Sequence, residues 1–265
     1  MIAVARRAGF RLTLRYIANA RLPGSMRTLA ILPIKTFCAS KQRLSGLLGR
    51  GSRQALAQAM FLDVLAALRR VRGIDAIAVV TADYAAESAA RNEGVHLLFD
   101  RNEAGQSEAV SIGIRHGIEL GFERVLLVPG DTPLIEPGEV AAMLERAEEE
   151  ATGVVIVPDR HGTGTNALLL APPGALPPSF GAGSLERHRT AAAAAVELTH
   201  RVEAIPSLTL DVDTPDDLGL LSEALDERRG QACMTRGTLR QLDRSNARRS
   251  VAGRGTRGHA VQVRA

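Results

Sequence analysis

From Thr28 onward, short unbroken apolar runs alternate with longer stretches in which apolar residues recur every three or four positions. Leu29-Ala30-Ile31-Leu32-Pro33-Ile34 is too short for a helix and too apolar for a surface strand, so it predicts a strand buried on both faces. Leu56, Met60, Phe61, Val64, Leu65 and Leu68 follow at helical spacing and predict a helix over 53–71. The same reading gives strands at Ile74–Thr81, Val95–Phe99, Val125–Val128, Val154–Val157, Ala167–Leu170 and Leu208–Val212. Helices are expected at Tyr84–Glu93, Ser107–Leu120, Pro137–Glu150, Ser184–Ala195 and Pro215–Leu225, with Ser107 as a cap.

Strand and helix alternating in this way predict an α/β fold: a Rossmann-like, mainly parallel sheet with helices on both faces. Ligands of such sheets bind beyond the carboxyl ends of the strands. Chemistry is therefore sought in the loops that leave strands, within one domain over residues 26–227.

Charge sharpens the domain boundaries. Residues 1–25 hold five arginines and no acid, and 226–265 hold ten arginines against three acids. With +5 and +7 at the ends and +4 in total, segment 26–225 carries −8. The first segment reads as a basic extension outside the fold, with Met26 as a natural start. The tail from Arg228, rich in Arg, Gly, Ser and Thr with no sustained apolar period, reads as disordered. An acidic middle with 3% aromatic residues argues against nucleic-acid binding. No apolar run reaches the roughly 18 residues of a membrane span. Two distant cysteines, Cys38 and Cys233, show no metal or disulfide spacing and fit a reduced, cytoplasmic setting.

Three groups of residues carry candidate chemistry. The loop after the first strand holds Lys35, Lys41 and Arg43, and the two lysines are the chain's only ones among 33 basic residues. A lysine is a compact charge on a flexible stem, suited to following a moving phosphate. The fourth strand runs into Pro129-Gly130-Asp131, which presents a carboxylate at the ligand edge. The last expected strand carries Asp211-Val212-Asp213-Thr214-Pro215-Asp216-Asp217. There Thr214 suits a helix cap, Pro215 the first helical position, and Asp216 and Asp217 the helix dipole. Strand alternation puts Asp211 and Asp213 on one face, and two such carboxylates need a cation. Mg²⁺ shared with Asp131 and with phosphate oxygens satisfies that need. Finally, Arg160-His161-Gly162-Thr163-Gly164-Thr165-Asn166 and Ser179-Phe180-Gly181-Ala182-Gly183-Ser184 bracket a strand with glycines and hydroxyls. Such segments suit an anionic second substrate. Arg187 and His188 read as surface residues of the helix that follows.

These segments, taken in order over residues 28–225, resemble the guanylyltransferases of deazaflavin coenzyme F-420 biosynthesis, relatives of the molybdopterin guanylyltransferases. The resemblance implies a nucleotide-diphospho-sugar transferase type of fold. It also implies transfer of GMP from GTP to a small phosphorylated acid, phosphoenolpyruvate in bacterial members and 2-phospho-L-lactate in archaeal ones. By position it makes Asp131, Asp211 and Asp213 metal ligands, with Mg²⁺ as cofactor, and Thr165, Gly181 and Ser184 phosphoenolpyruvate contacts. Lys35, Lys41 and Arg43 become the catalytic and nucleotide-binding cations. Gly105 and Ser107 stand at the base-recognition segment, where many members carry Leu-Asn. The next enzyme of the pathway is an expected partner. Other acceptors (3-phosphoglycerate, a sugar phosphate, a molybdopterin-type cofactor) and a non-catalytic nucleotide-binding module stay open at this point.

Overall fold

A computed structural model describes residues 25–255, except residues 92 and 229, with side chains as far as 245. All but the last residue of the basic extension 1–25, and residues 256–265, lie outside the described residues. The strands are β1 (Thr28–Ile34), β2 (Ala76–Thr81), β3 (His96–Phe99), β4 (Arg124–Leu127), β5 (Val154–Pro158), β6 (Thr165–Leu170) and β7 (His200–Val202). The helices are α1 (Arg50–Leu68), α2 (Tyr84–Ala90), α3 (Gln106–Glu119), α4 (Pro137–Glu149), α5 (Ser184–Ala194), α6 (Pro215–Glu227) and α7 (Cys233–Gly255).

The sheet order is β3-β2-β1-β4-β6-β5-β7. Every pairing is parallel except those of β6, which runs against both β4 and β5. That reversal matters for the site. Leu127 of β4 pairs with Leu168 of β6, so the start of β6 lies beside the end of β4. The segment that opens β6 thus reaches the same edge as the loops leaving β1 and β4.

Continuous apolar strands follow from burial on both faces. Ala30, Leu32, Ile77, Val79 and Leu126 pack with α1, α2 and α4 on one side. Leu29, Ile31, Ala78, Val80, Val125 and Leu127 pack with α3 and α5 on the other. At Gly113 a Cβ would lie 2.5 Å from Ile31 Cγ2, so glycine lets α3 close down on β1.

The structure corrects four expectations. Leu208–Val212 is not a strand: a 3-10 turn at Pro206–Leu208 runs into a loop. The loop's backbone is committed elsewhere. Asn166 Nδ2 donates to the carbonyls of Leu208 and Thr209, and Val212 N–H donates to Asp131 O. The true seventh strand, β7, lies upstream at the sheet edge, where two of its three residues are exposed and leave little apolar signal. Ser107 is not the α3 cap: Gly105 takes that position at φ 113°, and Ser107 stands inside the first turn.

The fourth correction concerns the tail from Arg228, expected to be disordered, which carries α7. Thr235, Leu239 and Leu242, spaced i, i+4 and i+7, form its inner seam. Leu239 and Leu242 join Leu56 and Met60 of α1 and Leu221 and Leu225 of α6 in a third apolar cluster. Asp63, a carboxylate inside α1, accepts from Met234 N–H at 3.1 Å and Thr235 N–H at 2.7 Å. It thereby caps α7 from a neighbouring helix. Among the described residues no helix is long and apolar enough to cross a membrane.

Candidate active site

The loop after β1 is anchored before it reaches the site. Phe37 is buried against Phe61, with ring centroids 6.0 Å apart, and its N–H donates to Asp83 at 2.7 Å. The chain then turns through Lys41, whose φ of 56° is left-handed and unusual for a residue with a Cβ. This turn sends the Lys41 ammonium inward, where its side chain is only 6% exposed. Nζ lies 2.5 Å from Asp131 Oδ2 and 2.9 Å from Asp213 Oδ1. Burial works against the charge, but the two carboxylates outweigh it and hold Lys41 above its ordinary range.

Asp131 follows β4 directly, in a turn that Gly130 makes possible. A Cβ on Gly130 would fall 2.3 Å from Ile34 Cδ1. Asp131 does not cap α4; Glu136 does. Asp211 and Asp213 reach the cluster from a loop rather than a strand face. Asn166 Nδ2 donates to Asp211 Oδ1 at 3.1 Å. Asp213 N–H donates to Asp217 Oδ2 at 3.0 Å. Burial, and then the charges of Asp131 and Asp213, push the Asp211 carboxyl above its usual range, although Asn166 pulls the other way. One Asp131 oxygen, Oδ1, is buried and has no hydrogen-bond partner among the described residues.

Among the described residues, no three His, Cys, Asp or Glu side chains form a ready-made metal cage. Lys41 fills the centre instead. Even so, a buried carboxylate oxygen without a partner is costly, and it lies beside a second acid whose charge is disfavoured. That donor set fits Mg²⁺, which takes one or two carboxylates and completes its shell with phosphate and water oxygens.

Asp217 also has a larger role than helix-dipole partner. It is buried, closes a capping box with Thr214, and accepts from Arg160 Nε at 2.8 Å and Nη2 at 2.6 Å. Burial opposes its charge, but bonds from Thr214, Asp213 and Arg160 hold its carboxyl below the usual range. Asp217 thus ties the Arg160 turn to Asp213. The segment 160–164 is the turn between β5 and β6. There Gly162 has φ 67°, and a Cβ on Gly164 would meet Asp159 Oδ2 at 2.6 Å.

A second group begins at Thr165, one residue before Asn166. Thr165 opens β6, and its N–H donates to Ser184 Oγ at 2.8 Å. Its Oγ1 lies 2.9 Å from His188 Nδ1. Ser184 starts α5 and is closed off from solvent, whereas Gly181 is exposed at φ 104°. Arg187 and His188, expected on the surface of α5, hold this loop together. Arg187 donates to Ser179 Oγ and to the carbonyls of Ser179, Phe180 and Ala182. His188 is fully buried and accepts from Ser179 N–H at 3.0 Å. Ser107 Oγ takes Phe180 N–H at 2.9 Å and joins the first turn of α3 to the same loop.

The structure therefore brings Lys41, Asp131, Asp211 and Asp213 together, with Thr165 next to Asn166 in the chain and Ser184 bonded to Thr165 N–H. It does not join Lys35 or Arg43 to them: both are exposed and form no ion pair among the described residues. Gly105 stands at the N-cap of α3, where a Cβ would meet nothing within 4 Å. Sequence reasoning missed Asn166, Asp217 and His188 as organisers of the site. Their signal was present: an amide, a carboxylate and an imidazole at positions buried by the fold each need a partner.

The sequence matches the family described as Guanylyl transferase CofC like over residues 28–248. A phosphoenolpyruvate guanylyltransferase of Conexibacter woesei is 50% identical over 221 residues, covering 83% of this chain and 99% of that protein. One from Sphaerobacter thermophilus is 36% identical over 194 residues, covering 73% and 91%. Among solved structures, a putative nucleotide-diphospho-sugar transferase from Desulfovibrio desulfuricans is similar in fold, with TM-score 0.58, 17% identity, and 82% and 95% of the two chains covered. A CMP:2-keto-3-deoxy-manno-octonic acid synthetase complexed with CTP is similar with TM-score 0.53 and 13% identity, over 76% and 99%. The chain is thus a nucleotidyltransferase with a nucleotide-diphospho-sugar transferase fold, and it belongs to the CofC-like guanylyl transferase family.

Proposed function

We propose that the protein transfers GMP from GTP to phosphoenolpyruvate, in coenzyme F-420 biosynthesis. A phosphate oxygen of the acceptor attacks the α-phosphorus, the α–β anhydride bond breaks, and diphosphate leaves. The product is enolpyruvoyl-2-diphospho-5'-guanosine. The nucleophile is already an anion, so the chain's work is alignment and charge neutralisation, without a general base.

The observation that carries this reading is the Lys41 ammonium set between Asp131 and Asp213 beside an unpartnered Asp131 oxygen. Lys41 holds a fixed positive charge where charge builds on the phosphates. Asp131, Asp211 and Asp213 would hold Mg²⁺, which supplies Lewis-acid polarisation of phosphate oxygens when bound. Lys35 and Arg43, exposed on the loop after β1, would engage the outer phosphates of GTP, and the Gly105–Ser107 turn would take the nucleoside. Thr165, Gly181 and Ser184 form the wall for the phosphorylated acid.

Asp131→Asn keeps the size of the side chain and removes its charge. Turnover should fall by about a hundredfold or more with far-ultraviolet circular dichroism unchanged. Near-normal turnover would remove Asp131 from the mechanism.

A further inference from the structure

His188 is fully buried in the wall of the proposed acceptor site, and guanylyl transfer by itself gives it no task. Its two ring nitrogens are both engaged: Nε2 lies 3.0 Å from Ser179 N, and Nδ1 lies 2.9 Å from Thr165 Oγ1. A backbone N–H can only donate, so Nε2 must accept. A neutral imidazole carries one N–H, which therefore sits on Nδ1. Burial first, and then the neighbouring Arg187, lower His188 to about 4, so the ring is neutral near pH 7. It follows that Nδ1–H donates and Thr165 Oγ1 accepts.

This fixes the hydroxyl's polarity. Thr165 Oγ1 has one proton, and with His188 donating to it that proton points away from the ring. Were the tautomer reversed, Thr165 would donate to the ring and turn lone pairs toward an incoming anion. The Thr165 N–H is already taken by Ser184 Oγ at 2.8 Å, so the backbone at this position is fixed as well. Asn166, the next residue, holds Asp211 at 3.1 Å, so the start of β6 connects Thr165 through the backbone to the carboxylate cluster.

We propose that His188 is a positioning residue for the acceptor: its Nδ1–H holds Thr165 so that the threonine hydroxyl donates to the anionic phospho acid. The proposal rests on the reading of Thr165 as an acceptor contact. Two substitutions separate its two bonds. His188→Asn places an amide nitrogen where Nδ1 lies and keeps a donor to Thr165. His188→Gln reaches the Nε2 position, keeps an acceptor for Ser179, and loses the donor to Thr165.

The test is steady-state kinetics of the full chain with GTP, Mg²⁺ and phosphoenolpyruvate. Thr165→Val and His188→Gln should each raise KM for phosphoenolpyruvate by about tenfold or more, as for loss of a hydrogen bond to a charged group, and leave KM for GTP unchanged. His188→Asn, which keeps the donor to Thr165, should raise KM for phosphoenolpyruvate less than His188→Gln does, and His188→Gln should add little on top of Thr165→Val. If Thr165→Val leaves KM for phosphoenolpyruvate unchanged, Thr165 is not an acceptor contact and the proposal falls with that reading. If Thr165→Val raises KM but His188→Gln does not, the proposal alone falls. It also falls if Asn and Gln variants are equally impaired for both substrates. Imidazole ¹⁵N shifts of the unaltered protein at pH 7 provide a check free of folding effects. An Nδ1–H tautomer is expected, and an Nε2–H tautomer would overturn the proposal.

Discussion

Replacing Lys41 by methionine tests the balance of charge at the centre of the site. The substitution keeps a long apolar stem and deletes an ammonium 2.5 Å from Asp131 and 2.9 Å from Asp213. Removing one partner of a buried ion pair costs about 3–5 kcal/mol because the other charge is left uncompensated. Here Asp131 and Asp213 are 27% and 45% exposed, so water screens part of that loss. The discounted cost is about 1–3 kcal/mol. For a chain of this size that lowers Tm by roughly 2–12 °C in chelator. The three carboxylates then lack a cation, and Mg²⁺ should replace it. At a hundred times its Kd, an ion that binds only the folded state returns about 2.7 kcal/mol. Thermal denaturation in chelator and in a Mg²⁺ series is the assay. Lys41→Met should gain more from Mg²⁺ than the unaltered protein does, while turnover stays low. Equal Tm values with and without Mg²⁺ would refute the idea that Lys41 and a metal ion share these oxygens.

Three further outcomes follow from the geometry. His188 is held neutral with its folded pKa lowered to about 4, while the unfolded chain takes a proton near 6.5. Stability is therefore full above about pH 6.5 and falls as pH drops toward 4, by about 3 kcal/mol at most. That slope in pH-dependent denaturation should shrink in His188→Gln, and an unchanged slope would contradict it. Asp217→Asn weakens the link to Arg160 and should cost about 1–3 kcal/mol at neutral pH. Because the folded pKa of Asp217 lies below the unfolded value near 4, the deficit should fade as pH falls through that lower value. A gap that persists unchanged in acid would assign the effect to packing. Asp63→Ala leaves Met234 and Thr235 N–H groups without their cap and should cost about 1–2 kcal/mol in chemical denaturation. No change there would mean that the start of α7 is held by its apolar seam alone.

The strands that sequence reveals are those buried on both faces, because packing alone makes β1, β2 and β4 nearly continuous apolar runs. Their order and direction are less legible. Nothing local in Thr165–Leu170 says that β6 runs against its neighbours, and yet that reversal carries Thr165 and Asn166 to the sheet edge where β4 ends. Asp211 and Asp213 were grouped by strand alternation, but the structure gathers them through an amide and a backbone N–H. The seam of α7 is only three positions wide amid arginine, and its cap comes from Asp63, some 170 residues earlier. Composition pointed to disorder there because tertiary partners are not visible in a local window. His188 was read as exposed for a related reason: α5 is poor in large apolar residues, so its buried face is marked by Ser184, His188 and Ala192 alone.

The most direct test of the account is diphosphate release from GTP and Mg²⁺ with phosphoenolpyruvate, 2-phospho-L-lactate and 3-phosphoglycerate offered separately. The account predicts release with phosphoenolpyruvate, lost in Asp131→Asn. Release with another acid and none with phosphoenolpyruvate, or turnover that survives Asp131→Asn, would contradict it.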